Sequence, residues 1–212
     1  MPSFNESPEY EQVAISCLLS IEQSCSLTSI IPRKLGENVM GVLKKLPTKE
    51  WMIAGGFMAC VAGHTKCYGD VDVFSAKYVS EEELGDEWRR YSVTGSLYNY
   101  GNPNRPNRYV IYNHRTTRVQ LIVPINNTKP FQDYYIGVFM EFDIDYCKMG
   151  WIGSKNMVMD LRGVKPNKNI YHSKSRELKY QCRLVNKQLP IPRLSVLAYL
   201  KCIQCLINKL IL

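Results

Sequence analysis

Trp51-Met-Ile-Ala-Gly-Gly-Phe-Met-Ala-Cys-Val-Ala-Gly-His-Thr-Lys-Cys-Tyr-Gly-Asp-Val-Asp-Val-Phe74 is the stretch on which the reading of the whole chain turns. Trp51 to Ala54 is a short apolar run with the length of a buried strand. Gly55-Gly56 ends it, and Gly56 to Ala62 reads as a short helix. Val71 to Phe74 is a second strand. Side chains alternate along a strand, so Asp70 and Asp72 fall on one side and Val71 and Val73 on the other. Two carboxylates pointing the same way suit shared coordination of Mg²⁺ or Mn²⁺, which prefer oxygen ligands. A glycine pair at a strand end allows close backbone approach, and a helix starting there offers N–H groups to phosphate. Gly55 and Gly56 are therefore candidate triphosphate contacts, and Asp70 and Asp72 candidate metal ligands.

Outward from this stretch the sequence reads as a mixed α/β core. Glu11 to Ser24 and Leu35 to Leu46 have apolar residues at helical spacing, and Pro47 stops the second. Ser80-Glu-Glu-Glu83 has the form of a capping box and predicts a helix running to about Arg90. Gly101 to Asn107 is a loop. Tyr109 to Tyr112 and Arg118 to Val123 form a hairpin through Asn113 to Thr117. Pro130 to Phe139 is a helix. Phe142 to Tyr146 reads as a strand alternating with Asp143 and Asp145. Lys174 to Lys187 and Arg193 to Leu212 are helices, separated by Leu189-Pro-Ile-Pro192. The expected fold class is α/β (α+β), a mixed sheet of about four to six strands flanked by helices, with a helical C-terminal region. The divisions are 1–50 (N-terminal helices), 51–162 (core) and 163–212 (basic helical region).

The charge is unevenly placed. The 212-residue chain carries a formal +8 and is 45% hydrophobic, enough for a real core. From Lys148 onward thirteen Lys and Arg face only Asp160 and Glu177, leaving the rest slightly acidic. A basic part beside a more acidic part fits contact with a polyanion such as RNA, DNA or a triphosphate, or else a solubilising surface. No apolar run is long enough to span a bilayer, and no basic, apolar leader opens the chain, so an intracellular location, cytoplasmic or nuclear, is expected. The eight cysteines lack zinc spacing, and most are expected reduced. Cys202 and Cys205 sit one helical turn apart in the last helix. That helix is apolar on most faces and is expected to pack both on its own domain and on a second copy or partner. His64 is a candidate phosphate contact or an exposed loop histidine. Tyr98 to Asn107 is an ordered surface loop or a base-stacking one.

Gly55-Gly56 followed by Asp70-Val-Asp72-Val-Phe74 resembles the nucleotidyltransferase fold of the DNA polymerase β superfamily. Arg118-Val-Gln-Leu-Ile-Val-Pro124 resembles the later strand of that fold. Phe142-Asp-Ile-Asp145 and Arg176-Glu-Leu-Lys-Tyr180 resemble segments of related viral and phage nucleotidyltransferase-like proteins. The resemblance implies Mg²⁺- or Mn²⁺-dependent transfer of a nucleoside monophosphate from an NTP to a hydroxyl acceptor. Asp70 and Asp72 would ligate metal. Asp143, or Asp145, would serve as base. Gly55, Gly56, Arg176 and Lys179 would hold the nucleotide, and the basic C-terminal part would hold RNA or DNA. One departure bears on activity: Gln120 stands where catalysing members place a third carboxylate. An amide is no useful base. The alternative is a catalytically degenerate protein of the same fold, acting in nucleic-acid binding or assembly.

Overall fold

The structure is a computed structural model and describes residues 21–91, 109–127, 131–142, 144–162 and 183–184. Seven strands form one mixed sheet: β1 (Trp51–Ala54), β2 (Val71–Ser75), β3 (Trp88–Arg90), β4 (Tyr109–His114), β5 (Val119–Pro124), β6 (Met149–Ile152) and β7 (Met157–Asp160). Their order across the sheet is β3-β4-β5-β2-β1-β6-β7. β2 and β5 pair in parallel, and the other neighbours are antiparallel. Among the described residues four α-helices accompany it: α1 (Ile21–Lys45), α2 (Gly56–Val61), α3 (Glu81–Leu84) and α4 (Phe131–Met140). The class is thus α+β with a mixed sheet, as expected.

Both faces of the sheet are buried in its middle, which is why its strands read as nearly continuous apolar runs. Trp51, Ile53, Val71, Val73, Val119 and Leu121 pack on one face against Ile31, Leu35, Leu43 and Leu46, residues of the long helix α1 and the turn after it. Met52, Phe74, Ile111 and Ile122 pack on the other face against Tyr135 and Phe139 of α4. Each strand therefore divides its residues between two clusters by simple alternation. α1 spans a kink. Gly36 inside it has φ +77 and ψ 166, and Pro32 also lies within its span. A positive φ at that position is compatible with glycine and unfavourable for almost any other residue.

Three expectations need correction. The helix beginning at the Ser80 capping box is a single turn. Both reciprocal bonds are present, Glu83 N–H to Ser80 Oγ and Ser80 N–H to a Glu83 carboxylate oxygen. Gly85, with φ +72, ends the turn at once, and Trp88–Arg90 pairs with β4 instead. The cap signal was sound, but the glycine stop and the cross-strand partner His114 outweigh the helical propensity beyond it. Phe142 to Tyr146 is not a strand. Phe142 N–H donates to Phe139 O, and Asp145–Cys147 is a 3₁₀ turn leading into β6. The sheet also gains β3, β6 and β7, so it holds seven strands. The expected helix 193–212, the loop 101–107 and the span 11–20 lie outside the described residues, as does 174–187 apart from Arg183 and Leu184, which form a turn and an isolated bridge to Thr65 rather than helix.

Candidate functional site: the glycine turn beside Asp72

β1 delivers the chain to Gly55, whose φ of +78 turns it into α2. A β-carbon built on Gly55 would lie 3.1 Å from Asp72 Oδ2. The Asp72 carboxylate therefore sits directly against the turn, and the missing side chain leaves room for it. The register explains this approach. Ala54 pairs with Asp72 across β1–β2, and Asp72 pairs with Gln120 across β2–β5. Gln120 pairs in turn with Asn113 on β4. Below this polar row the same face is apolar, with Met52, Phe74 and Ile122 in register. Asp72 is half-buried at the boundary between that apolar layer and the polar row.

The two glycines have different surroundings. The Gly55 N–H donates to Cys147 O at 3.3 Å, which fastens the turn to the 3₁₀ segment before β6. Gly56 opens α2, whose first turn has no carbonyl partners four residues back. Asp70 precedes β2 and is exposed. The strand begins one residue later, where Val71 N–H donates to Arg118 O at 2.8 Å.

One residue of this neighbourhood escaped the sequence reading. Lys66 N–H donates to Arg183 O at 2.7 Å, and Thr65 bridges to Leu184. A β-carbon on Gly69 would lie 3.6 Å from Arg183 Nη2. The Arg183 guanidinium thus lies against the residue immediately before Asp70, and it brings a cation from the basic C-terminal part to the edge of the site. Its position in the basic run from Lys174 to Lys187 was the only sequence signal available. Asp143, Arg176 and Lys179 lie outside the described residues.

A second polar cluster joins His64, in the loop after α2, to the end of β7. Arg162 grips Asp160 with Nε at 2.8 Å from Oδ1 and 3.0 Å from Oδ2. Its Nη1 donates to His64 Nε2, so the neutral ring carries its proton on Nδ1. His64 also stacks on Tyr146, with ring centroids 6.0 Å apart and planes 26° from parallel. Lys148 is 1% exposed and donates to Asp145 Oδ1 at 3.3 Å. His64 is thus bonded into a structural cluster. Burial first, and then the Arg162 charge, push its pKa below the ordinary 6.5. Burial also lowers His114.

Both shifts have the same consequence for stability. A histidine held neutral in the fold protonates more readily in the unfolded chain. Stability is then fully present above pH 6.5 and falls as pH drops below it toward the folded pKa values. The expected result is a melting temperature that declines below pH 6.5, with part of the decline absent in His64→Gln. A flat profile from pH 7 to pH 5 in the wild type would contradict this.

Among the described residues no three or more His, Cys, Asp and Glu side chains are grouped to hold a metal ion. Among the same residues no helix is long and apolar enough to cross a membrane. Among the described residues, Cys60, Cys67 and Cys147 form no disulfide. The chain matches no known protein family, no curated protein and no solved structure.

Proposed function

We propose that the protein is a nucleotidyltransferase-type enzyme that uses Mg²⁺ or Mn²⁺ and transfers a nucleoside monophosphate from an NTP to a hydroxyl acceptor. The observation that carries this reading is the Asp72 carboxylate seated 3.1 Å from where a Gly55 side chain would begin. A carboxylate held against an open glycine turn, at the start of a helix, brings a cation ligand and a phosphate-accessible backbone together. The donor set fits a hard cation. Asp70, Asp72 and the amide oxygen of Gln120 are all oxygen donors, and triphosphate oxygens would complete them. The bound cation would neutralise charge on the phosphates.

The protein's own groups have separable tasks. The α2 start and Arg183 hold phosphate, with Arg176 and Lys179 as further contacts. The acceptor hydroxyl attacks the α-phosphorus, the α–β anhydride bond breaks, and pyrophosphate leaves. The hydroxyl proton passes to a carboxylate, for which Asp143 is the candidate and Asp145 the substitute. The test is incubation of the pure chain with each α-labelled NTP and Mg²⁺ or Mn²⁺, with RNA, DNA and protein acceptors. Label incorporated by the wild type and absent with Asp72→Ala supports the reading. No incorporation with any NTP, and Asp72→Ala indistinguishable from wild type, rejects it.

A second reading has its own observation. Gln120 stands beside Asp72 in the β2–β5 register, where an active centre would be served better by a carboxylate. On that reading the fold has lost turnover and binds nucleic acid or takes part in assembly. Gln120→Glu separates the two. It places a second negative charge next to Asp72, so without metal the variant should melt below the wild type. With millimolar Mn²⁺ it should show a larger stabilising shift than the wild type. If Gln120→Glu gains turnover that the wild type lacks, the degenerate reading stands.

A further inference from the structure

The edge of the sheet farthest from β7 carries a basic cleft that the site at Asp72 does not use. β3 pairs with β4 so that Arg89 lies opposite Asn113. The Tyr91 N–H donates to Ile111 O at 2.8 Å and continues that pairing beyond the strand. Arg89 and Tyr91 therefore share a face with Asn113, and Arg115 follows on the turn after β4. With Arg90 and His114 they line a cleft of about 620 Å³. Arg89, Arg90 and Arg115 are exposed, and none of them forms an ion pair among the described residues. The neighbouring acid Glu87 reaches Lys45 instead, at 3.7 Å.

Two further groups give the cleft more than charge. Tyr91 is 45% exposed, an aromatic surface open to solvent beside the guanidiniums. Asn113 Oδ1 is buried and accepts no hydrogen bond among the described residues. A buried acceptor without a donor costs stability unless something supplies one. The row also has a direction. Arg89, Asn113, Gln120 and Asp72 follow one another in register across β3, β4, β5 and β2. At the usual ~4.8 Å between strands, Arg89 is about 14 Å from Asp72 on one continuous face.

We propose that this cleft binds a single strand of nucleic acid. Arg89 and Arg115 contact its phosphates, Tyr91 stacks on a base, and Asn113 accepts a hydrogen bond from a base amino group. Cations for the backbone, a π-face for a base and a polar group for an edge are the combination that single strands require. A free anion would make no use of Tyr91, and a duplex hides its base faces from it. The site differs from the basic C-terminal part, and it does not depend on turnover at Asp72.

The experiment is fluorescence anisotropy of the full-length protein with labelled 12-nucleotide RNA, DNA of the same sequence, and the corresponding duplexes, over a range of salt. The wild type should bind RNA or DNA single strands at least tenfold more tightly than duplex, and the RNA and DNA arms decide which sugar is preferred. The Arg89→Gln, Arg115→Gln double variant should bind at least tenfold more weakly. Its slope of log affinity against log salt should be shallower by about 1.4, the value expected for two lost phosphate contacts on a single strand. Tyr91→Ala should weaken binding about 5- to 100-fold with the salt slope unchanged, and Tyr91→Trp should restore it. Asp72→Asn should bind at least as well as the wild type, so failure of transfer and failure of this site are told apart. Wild-type affinity and slope in the double variant, equal binding of duplex, or no binding by the wild type would each overturn the proposal.

Discussion

Asp72→Asn is expected to cut nucleotide transfer steeply and to remove most of the stabilisation of the protein by Mn²⁺. The substitution keeps the size and shape of the side chain and removes its charge. Asp72 is the carboxylate that β1 and β2 fix in place, paired with Ala54 on one side and Gln120 on the other. Asp70 lies ahead of the strand and is exposed, so it is less firmly held. At about ten times its Kd, Mn²⁺ should stabilise the wild type by ~1.4 kcal/mol, or ~3–6 °C in melting temperature. NTP should add to that rise. Asp72→Asn should lose most of it and reduce transfer by roughly 10³-fold, the scale of a lost metal ligand. Asp70→Asn should retain part of both. The measurements are thermal melts with and without Mn²⁺ and NTP, and initial rates of label incorporation. A metal shift undiminished in Asp72→Asn would remove Asp72 from the site.

Gly153→Ala should be the most damaging small substitution in the described fold. A β-carbon at Gly153 would come within 2.2 Å of Trp51 Cη2 and within 2.9 Å of two further atoms of the same ring. Trp51 is 6% exposed and packs edge-to-face on Trp151 at 5.7 Å. A stiff indole in that setting cannot yield as a flexible chain end would. Overpacking of this kind costs about 1–3 kcal/mol, which lowers the melting temperature by roughly 2–12 °C. Trp51 begins the strand that leads into Gly55, so the same displacement should reduce transfer at temperatures where the variant is still folded. Gly36→Ala provides the contrast. Among the described residues nothing outside its own helix backbone and chain neighbours lies within 4 Å of its β-carbon, so its cost comes from a φ of +77. If Gly153→Ala melts with the wild type, Trp51 does not fill the space as described.

The part of the fold nearest the glycine pair was legible in the sequence because its signals are local. Trp51–Ala54 and Val71–Ser75 announce themselves by apolar runs and alternation, and Gly55 by the turn it must make. The hairpin of β4 and β5 was legible for the same reason. The failures have a common cause. β3 exists because Trp88 finds His114, and β6 because Ile53 and Ala54 find Trp151 and Gly150. Those partners are distant in sequence, and no local pattern at Met149-Gly-Trp-Ile152 marks a strand as distinct from a short apolar loop. Conversely, Phe142 to Tyr146 alternates like a strand, but Phe142 N–H closes back on Phe139 O of α4 and Asp145–Cys147 is a 3₁₀ turn. Within the site, Asp72 and Gln120 were found by pattern, and their adjacency is a matter of register. Arg183 and the Arg89–Asn113 pairing could be found only once the strands were placed.

The Gly55 N–H is bonded to Cys147 O, and β1 lies between β2 and β6. A chain emerging from the ribosome presents residues 51–75 long before residues 147–152. For that interval the glycine turn has its aspartate strand on one side and nothing on the other. Sequence-distant pairing of this kind slows folding and leaves an open strand edge meanwhile. The nascent protein therefore cannot fasten the turn to the segment before β6 until most of it has been synthesised, so the completed turn is a late acquisition in the life of each molecule.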